Sequence, residues 1–209
     1  FLSTARYDEV QTFLKDLAAA SPLVRLTDIG VSGEGRKIPM ALLADPPVAT
    51  AEEAKRSGKL IIAMLGGIHS GECDGKAALL ALARDIASQR HAAKRAKEGA
   101  DQKVDQTPGP TPAPLNAIDL DHAVLIFIPN YNPDANEKMA PGNRRGQAGP
   151  ETVGERENAA GLDLNRDFVK LEAPETRGLV RMLNQYDPAV FIDTHTTNGS
   201  FHRYALTFD

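Results

Sequence analysis

Apolar residues change period several times along the chain, and each change predicts an element. Val10, Phe13, Leu14 and Leu17 recur at i, i+3, i+4 and i+7. That spacing predicts a helix with one face on a sheet, opened by Ser3 or Thr4 and closed at Ser21-Pro22. Leu23 to Ile29 and Ile38 to Ala44 read as two strands joined around Gly33 to Gly35, an antiparallel hairpin at a sheet edge that Pro46-Pro47 stops. Ala51 to Gly58 is charged and reads as exposed chain. Leu60 to Leu65 is an unbroken apolar run. After Gly66-Gly67 the pattern resumes at Gly75 with Leu79, Leu82, Ala83 and Ile86 at helical spacing, so this stretch reads as strand, turn, helix. Ala123 to Ile128 is a second apolar run, of the kind that parallel sheets bury on both faces. A helix from Pro174 carries Leu179, Met182, Leu183 and Tyr186 on one face and ends at Asp187-Pro188. A third buried strand is expected at Ala189 to Asp193 and a further one at Arg203 to Phe208. The fold class expected is α/β, with a mixed, mostly parallel central sheet and helices on both faces.

Two segments escape this pattern. Gly99 to Pro114 is polar and proline-rich, a surface insertion (99–114) within one domain spanning 1–209. Asn136 to Ala160 is rich in Gly, Pro, Asn and Arg and lacks periodicity; long irregular segments inside compact domains are usually functional. With 42% hydrophobic and 25% charged residues in 209, the chain has the composition of an ordered globular protein. A net charge of -4 without a basic stripe argues against a nucleic-acid partner. No apolar run approaches the ~20 residues of a membrane span, so no membrane partner is expected. The only cysteine, Cys73, excludes a disulfide framework and reads as a small packed residue. The chain starts with Phe1 instead of Met, so an N-terminal piece is expected to be missing, through signal-peptide removal or trimming.

Candidate chemistry gathers where the strands end. His69 and Glu72 follow the first apolar run, Asn130 to Asp134 the second, and His195 the third. If the three strands are parallel, these clusters share the sheet edge beyond their carboxyl ends, where open α/β sheets bind ligands. Two histidines and a glutamate with a fourth position open suit catalytic zinc, whereas closed structural sites are usually built from cysteines. His91 and His122 read as surface. His202 alternates with core positions near the last strand. Asp193 lies two residues before His195 and so on the same strand face, as a partner of that histidine or as buried structure. Asn198-Gly199 read as a subsite lining or a plain tight turn.

HSGE at 69–72, the pattern R-x-N-x-x-G-x-D-L-N-R from Arg156 to Arg166, and DTHTTNGS at 193–200 together resemble the zinc metallocarboxypeptidase family, of the carboxypeptidase A type. The resemblance covers most of the chain with order and spacing kept. It implies that His69, Glu72 and His195 are Zn2+ ligands, that Arg156 polarises the scissile carbonyl with Arg144 and Arg145 as rivals, and that Asn165 and Arg166 grip the substrate's terminal carboxylate. Asp163 is implied as the acid that fixes a ligand imidazole. The chemistry agrees: a guanidinium fork fits a carboxylate bidentately, and a metal-bound imidazole commonly donates its other N–H to a carboxylate or carbonyl. Arg166 could instead pair with Asp163 or Asp167, and Asp163 could simply cap a loop.

The family's proton-transferring glutamate lies well downstream of the third ligand. Glu151, Glu155, Glu157, Glu172 and Glu175 do not occupy its place, so residues 1–209 are expected to form the first two-thirds of the catalytic domain, to bind zinc weakly and to hydrolyse peptides poorly. The sheet edge left by such a truncation is an aggregation hazard. The partner expected is a peptide or acyl-amino acid with a free carboxylate, and the place secreted or periplasmic, as the family suggests. Two alternatives stand: a zinc-dependent N-acyl amino-acid deacylase of the aspartoacylase type, and a non-catalytic binding module on the same fold.

Overall fold

The computed structural model describes residues 2–97, 120–145 and 149–196, with the side chains of 91–97 outside the described set. Its elements in chain order are α1 (Tyr7–Ala20), β1 (Val24–Val31), β2 (Lys37–Leu43), α2 (Ala51–Arg56), β3 (Leu60–Gly66), α3 (Cys73–Lys97), β4 (Ala123–Ile128), α4 (Pro133–Glu137), β5 (Ala140–Pro141), β6 (Thr152–Val153) and, after a 3-10 turn at Leu164–Arg166, α5 (Pro174–Tyr186) and β7 (Val190–Thr194). Five strands form a sheet in the order β1-β2-β4-β3-β7. The β1–β2 hairpin is antiparallel and β2 is antiparallel to β4, whereas β3 runs parallel to both β4 and β7. The expected mixed α/β sheet is present, and its three parallel strands finish at one edge.

Alternation along β4 shows how the sheet makes two cores. Val124, Ile126 and Ile128 join Ile61, Leu65, Leu179 and Met182 under α2 and α5. Ala123, Leu125 and Phe127 join Val10, Leu14, Leu79 and Ala83 under α1 and α3. Every β4 residue is buried, as a near-continuous apolar strand between two helical layers should be.

Four local expectations are corrected. The first helix is capped at Arg6, not Ser3 or Thr4: the Glu9 carboxylate accepts the Arg6 N–H at 2.7 Å. Ala51 to Gly58 is not merely exposed chain, since Thr50 caps α2 and Ala54 is buried. The helix expected from Gly75 starts at Cys73, so Glu72 stands at its very threshold. The last strand is not buried: Val190, Phe191 and Ile192 are 42%, 37% and 43% exposed, because among the described residues β7 has one strand neighbour, β3, and forms the sheet's rim. The insertion at 99–114 and the strand at Arg203 to Phe208 lie outside the described residues.

Two contacts fix α3 against this frame. A Cβ at Gly75 would stand 2.1 Å from Thr194 Oγ1, so only glycine lets the first turn of α3 press on the end of β7, where Thr194 Oγ1 also donates to Leu65 O at 2.7 Å. One residue on, buried Lys76 donates to Ala5 O and to Asn136 Oδ1, both at 2.5 Å, tying α3 to the chain before α1 and to α4. Burial lowers the Lys76 ammonium to about 8. Between that value and its unfolded pKa of ~10.4 the unfolded chain binds more protons, so stability attributable to Lys76 rises with pH across this window. The stability of the parent relative to Lys76→Met, read from urea midpoints, should therefore increase by about 2 kcal/mol from pH 8 to pH 10. A difference that stays flat or falls would contradict the assignment.

Candidate metal centre

The turn after β3 builds half of the site. Gly67, at φ +77°, redirects the chain, and its carbonyl and that of Gly66 accept the N–H groups of Asn132 and Tyr131, which locks the turn to the end of β4. The Glu72 N–H then donates to His69 O at 2.9 Å, folding the turn back on itself. This brings His69 Nδ1 to 2.8 Å from Glu72 Oε1, with both residues buried. The other half arrives on β7. His195 Nδ1 stands 2.9 Å from Glu72 Oε2, which also accepts the Thr196 N–H at 2.8 Å. One ligand atom from each of His69, Glu72 and His195 thus lies within 4.8 Å of the others.

Each imidazole is held from behind. His69 Nε2 meets Asp163 Oδ1 at 3.0 Å, and His195 Nε2 meets Asp193 Oδ2 at 2.9 Å. A carboxylate on the remote nitrogen can keep a proton there, which would leave Nδ1 of each imidazole to a bound cation. Burial alone would raise the Glu72 carboxyl, but hydrogen bonds from His195, His69 and the Thr196 N–H, with the nearby Arg144 charge, outweigh it and hold the group far below the usual carboxylate range. Hydrogen bonds to Asp193 and then Glu72 push His195 up to about 10. Two imidazole nitrogens and one carboxylate form the donor set of an open zinc site. The residues fit that ion.

Arg156 donates through Nε and Nη2 to Asp163 Oδ2 at 3.1 and 2.8 Å, and its Nη1 lies 3.4 Å from His69 Nδ1. Arg144 pairs with Glu72 Oε1, while Arg145 is exposed beside Gly142. Asn165 Nδ2 is 3.4 Å from His195 Nε2. Arg166 is exposed, with Nη1 donating to Asn165 O at 2.9 Å instead of pairing with Asp163 or Asp167. Asp167 instead accepts the N–H groups of Glu172 and Ala173. Cys73 is half-buried and burial raises its thiol pKa, which agrees with a packed side chain. His122 is exposed as expected. The surroundings of His91, and the residues His202, Asn198 and Gly199, lie outside the described set. Of the two readings the sequence allows for Asp193, the structure has it as the partner of His195, and the i, i+2 spacing is the signal that marks it. The Thr196 N–H was missed, since no side-chain pattern marks a main-chain donor.

Residues 10–105 match the family described as zinc carboxypeptidase. That stretch, a little under half of the chain, is a zinc carboxypeptidase-family region. It is similar to carboxypeptidase D of Rattus norvegicus, 30% identical over 189 residues that make up 80% of this chain and 12% of the relative. It is similar as well to carboxypeptidase 2 of Trichophyton rubrum, 25% identical over 191 residues, 91% of this chain and 28% of the relative. Among solved structures, a metallo-carboxypeptidase from Burkholderia cenocepacia superposes with a TM-score of 0.64 at 18% identity, over 94% of this chain and 42% of that one. A metallo-carboxypeptidase from Pseudomonas aeruginosa in complex with (2-guanidinoethylmercapto)succinic acid gives 0.61 at 20% identity, over 93% and 40%. These likenesses establish the carboxypeptidase fold for the region. The chain spans between about one eighth and two fifths of the relatives named here.

Metal content should follow the geometry. We expect His69→Ala and His195→Ala each to abolish zinc uptake, and Asp193→Asn to weaken it about 10–100-fold, as loss of a ligand's outer partner does. Zinc per chain by atomic emission and a chelator-competition titration measure this; undiminished zinc in either alanine variant would refute the site.

Proposed function

We propose that the region bears the metal centre of a zinc-dependent peptidase that hydrolyses C-terminal or short-peptide amide bonds. The observation that carries this reading is the convergence of His69 Nδ1, the Glu72 carboxylate and His195 Nδ1 at the shared end of parallel strands β3 and β7, in a chain whose residues 10–105 match the zinc carboxypeptidase family. In the proposed site these three residues hold zinc, which when bound would polarise a carbonyl and lower the pKa of its water to ~7. Asp163 and Asp193 hold the two imidazoles from behind. Arg156, oriented by Asp163 with Nη1 turned to the triad, offers N–H donors to the carbonyl oxygen where negative charge develops. Asn165 and Arg166, adjacent on the 3-10 turn, present an amide and a guanidinium to the carboxylate of the substrate's last residue.

The carboxylate that relays the proton is not assigned to the glutamates weighed from the sequence. Glu151, Glu157 and Glu172 are exposed, Glu155 pairs with Lys138, and Glu175 is committed to Gly33 and Asn158. The protein then works where such peptidases meet peptides outside the cytoplasm, secreted or periplasmic, and its fungal relatives are compatible with this.

The test is hydrolysis by the longest natural form of the protein, comparing a blocked dipeptide bearing a free C-terminus with acetyl-aspartate. We expect the dipeptide to be cleaved, chelation to stop turnover, added zinc to restore it, and Arg156→Ala to lower kcat by about 10²–10³-fold, as loss of an oxyanion donor does. Preference for acetyl-aspartate would replace the peptidase reading with a deacylase. Zinc-loaded, folded protein that turns over neither substrate would leave a binding module.

A further inference from the structure

Arg156 and Asp163 reach His69 from the two ends of one loop, and what shapes that loop is a residue the chemistry above does not use. Asn158 is 2% exposed. Its Oδ1 accepts the N–H groups of Ala160 and Leu162, both at 3.0 Å, while its own N–H donates to Leu162 O and its carbonyl accepts the Gly161 N–H. The segment 158–162 is therefore wound around the Asn158 side chain. Winding it this way returns the chain so that Asp163 faces Arg156, and the two side chains close the loop over His69.

The amide nitrogen of the same side chain reaches the frame. Asn158 Nδ2 donates to Glu175 Oε2 at 3.2 Å, and Glu175 Oε1 accepts the Gly33 N–H at 3.0 Å. Glu175 sits in the first turn of α5 with no exposure at all. The Gly33 turn is itself pinned, because buried Asp134 accepts from Ser32 Oγ at 2.7 Å, from the Glu34 N–H at 2.8 Å and from Arg36 Nη1 at 2.7 Å. The loop that aims His69 thus hangs from a fixed carboxylate between the β1–β2 hairpin and α5. Buried polar networks of this kind rigidify when every member is satisfied and fail when one acceptor is lost.

We infer that Asn158 and Glu175 are positioning residues of the metal centre, acting through Asp163 on the orientation of His69. The inference rests on the reading of His69, Glu72 and His195 as zinc ligands. In Glu175→Gln one acceptor becomes a donor at constant shape, so either the Gly33 N–H or Asn158 Nδ2 faces another N–H. The reciprocal change repairs this: in N158D/E175Q the new amide donates to the new carboxylate, whose other oxygen still accepts from Ala160 and Leu162.

The experiment compares parent, E175Q, N158D and N158D/E175Q in the full-length protein at pH 8. It reads the zinc Kd by chelator competition, and hydrogen exchange of the metal-free protein in peptides covering 156–166 and, as a fold control, β3 and β4. We expect E175Q to raise the zinc Kd about ten-fold, near the lower end of what loss of an outer partner does. Exchange over 156–166 should quicken while β3 and β4 keep their protection, and the double variant should restore both readouts. Parent-like zinc affinity and exchange in E175Q, or a double variant no better than either single one, would overturn the inference. Should one single variant unfold throughout, the other against the double variant makes the same comparison. Should the parent take up no zinc, the metal reading falls, and rescue of loop protection by the double variant alone decides the positioning role.

Discussion

The Glu72 carboxylate bridges two histidines delivered by different strands, and the rest of the described structure is arranged so that this bridge can form. His69 and Glu72 share one tight turn; His195 comes from the far side of β3, on a strand more than a hundred residues later. Their meeting requires β3 and β7 to be parallel and in register, and α3 to start close enough to β7 for Glu72 to look sideways at His195. The missing side chain at Gly75 makes that approach possible.

Around the bridge, negative charge is held in layers. Three carboxylates, on Glu72, Asp163 and Asp193, surround two imidazoles, and two guanidiniums, Arg144 and Arg156, offset part of the excess. The Asp163 carboxyl lies below its ordinary range, because hydrogen bonds from His69, Arg156 and the Asn165 N–H outweigh the effect of burial. A cation bound by the triad would therefore enter a site already shaped and charged for it, at the edge where the three parallel strands end. Among the described residues, β7 exposes Val190, Phe191 and Ile192 beside the site.

Much of this was legible in the residues themselves. The burial of β4 follows from its unbroken apolar run, and the convergence of His69, Glu72 and His195 follows from parallel strands ending in polar clusters. What escaped was set by partners remote in sequence. The exposure of β7 depends on which strands lie beside it, and the same apolar letters would be buried with a second neighbour. Ala51 to Arg56 forms a helix because Thr50 caps it and Ala54 finds the core, a single apolar contact too sparse to give a period. Arg6 caps α1 because Glu9 reaches back to its N–H. Asn158 looked like one polar loop residue among many, and only Glu175, seventeen positions later, gives its amide a purpose.

The central claim is that the triad binds a cation through the Nδ1 atoms of both histidines, with Asp163 and Asp193 keeping each Nε2. Anomalous diffraction at the zinc edge, from crystals of zinc-loaded protein, tests it most directly. The account requires one anomalous peak about 2.0–2.2 Å from His69 Nδ1, a Glu72 carboxylate oxygen and His195 Nδ1, with both carboxylates still on the remote nitrogens. A peak bound through either Nε2, or an ordered triad with no peak at saturating zinc, would contradict it.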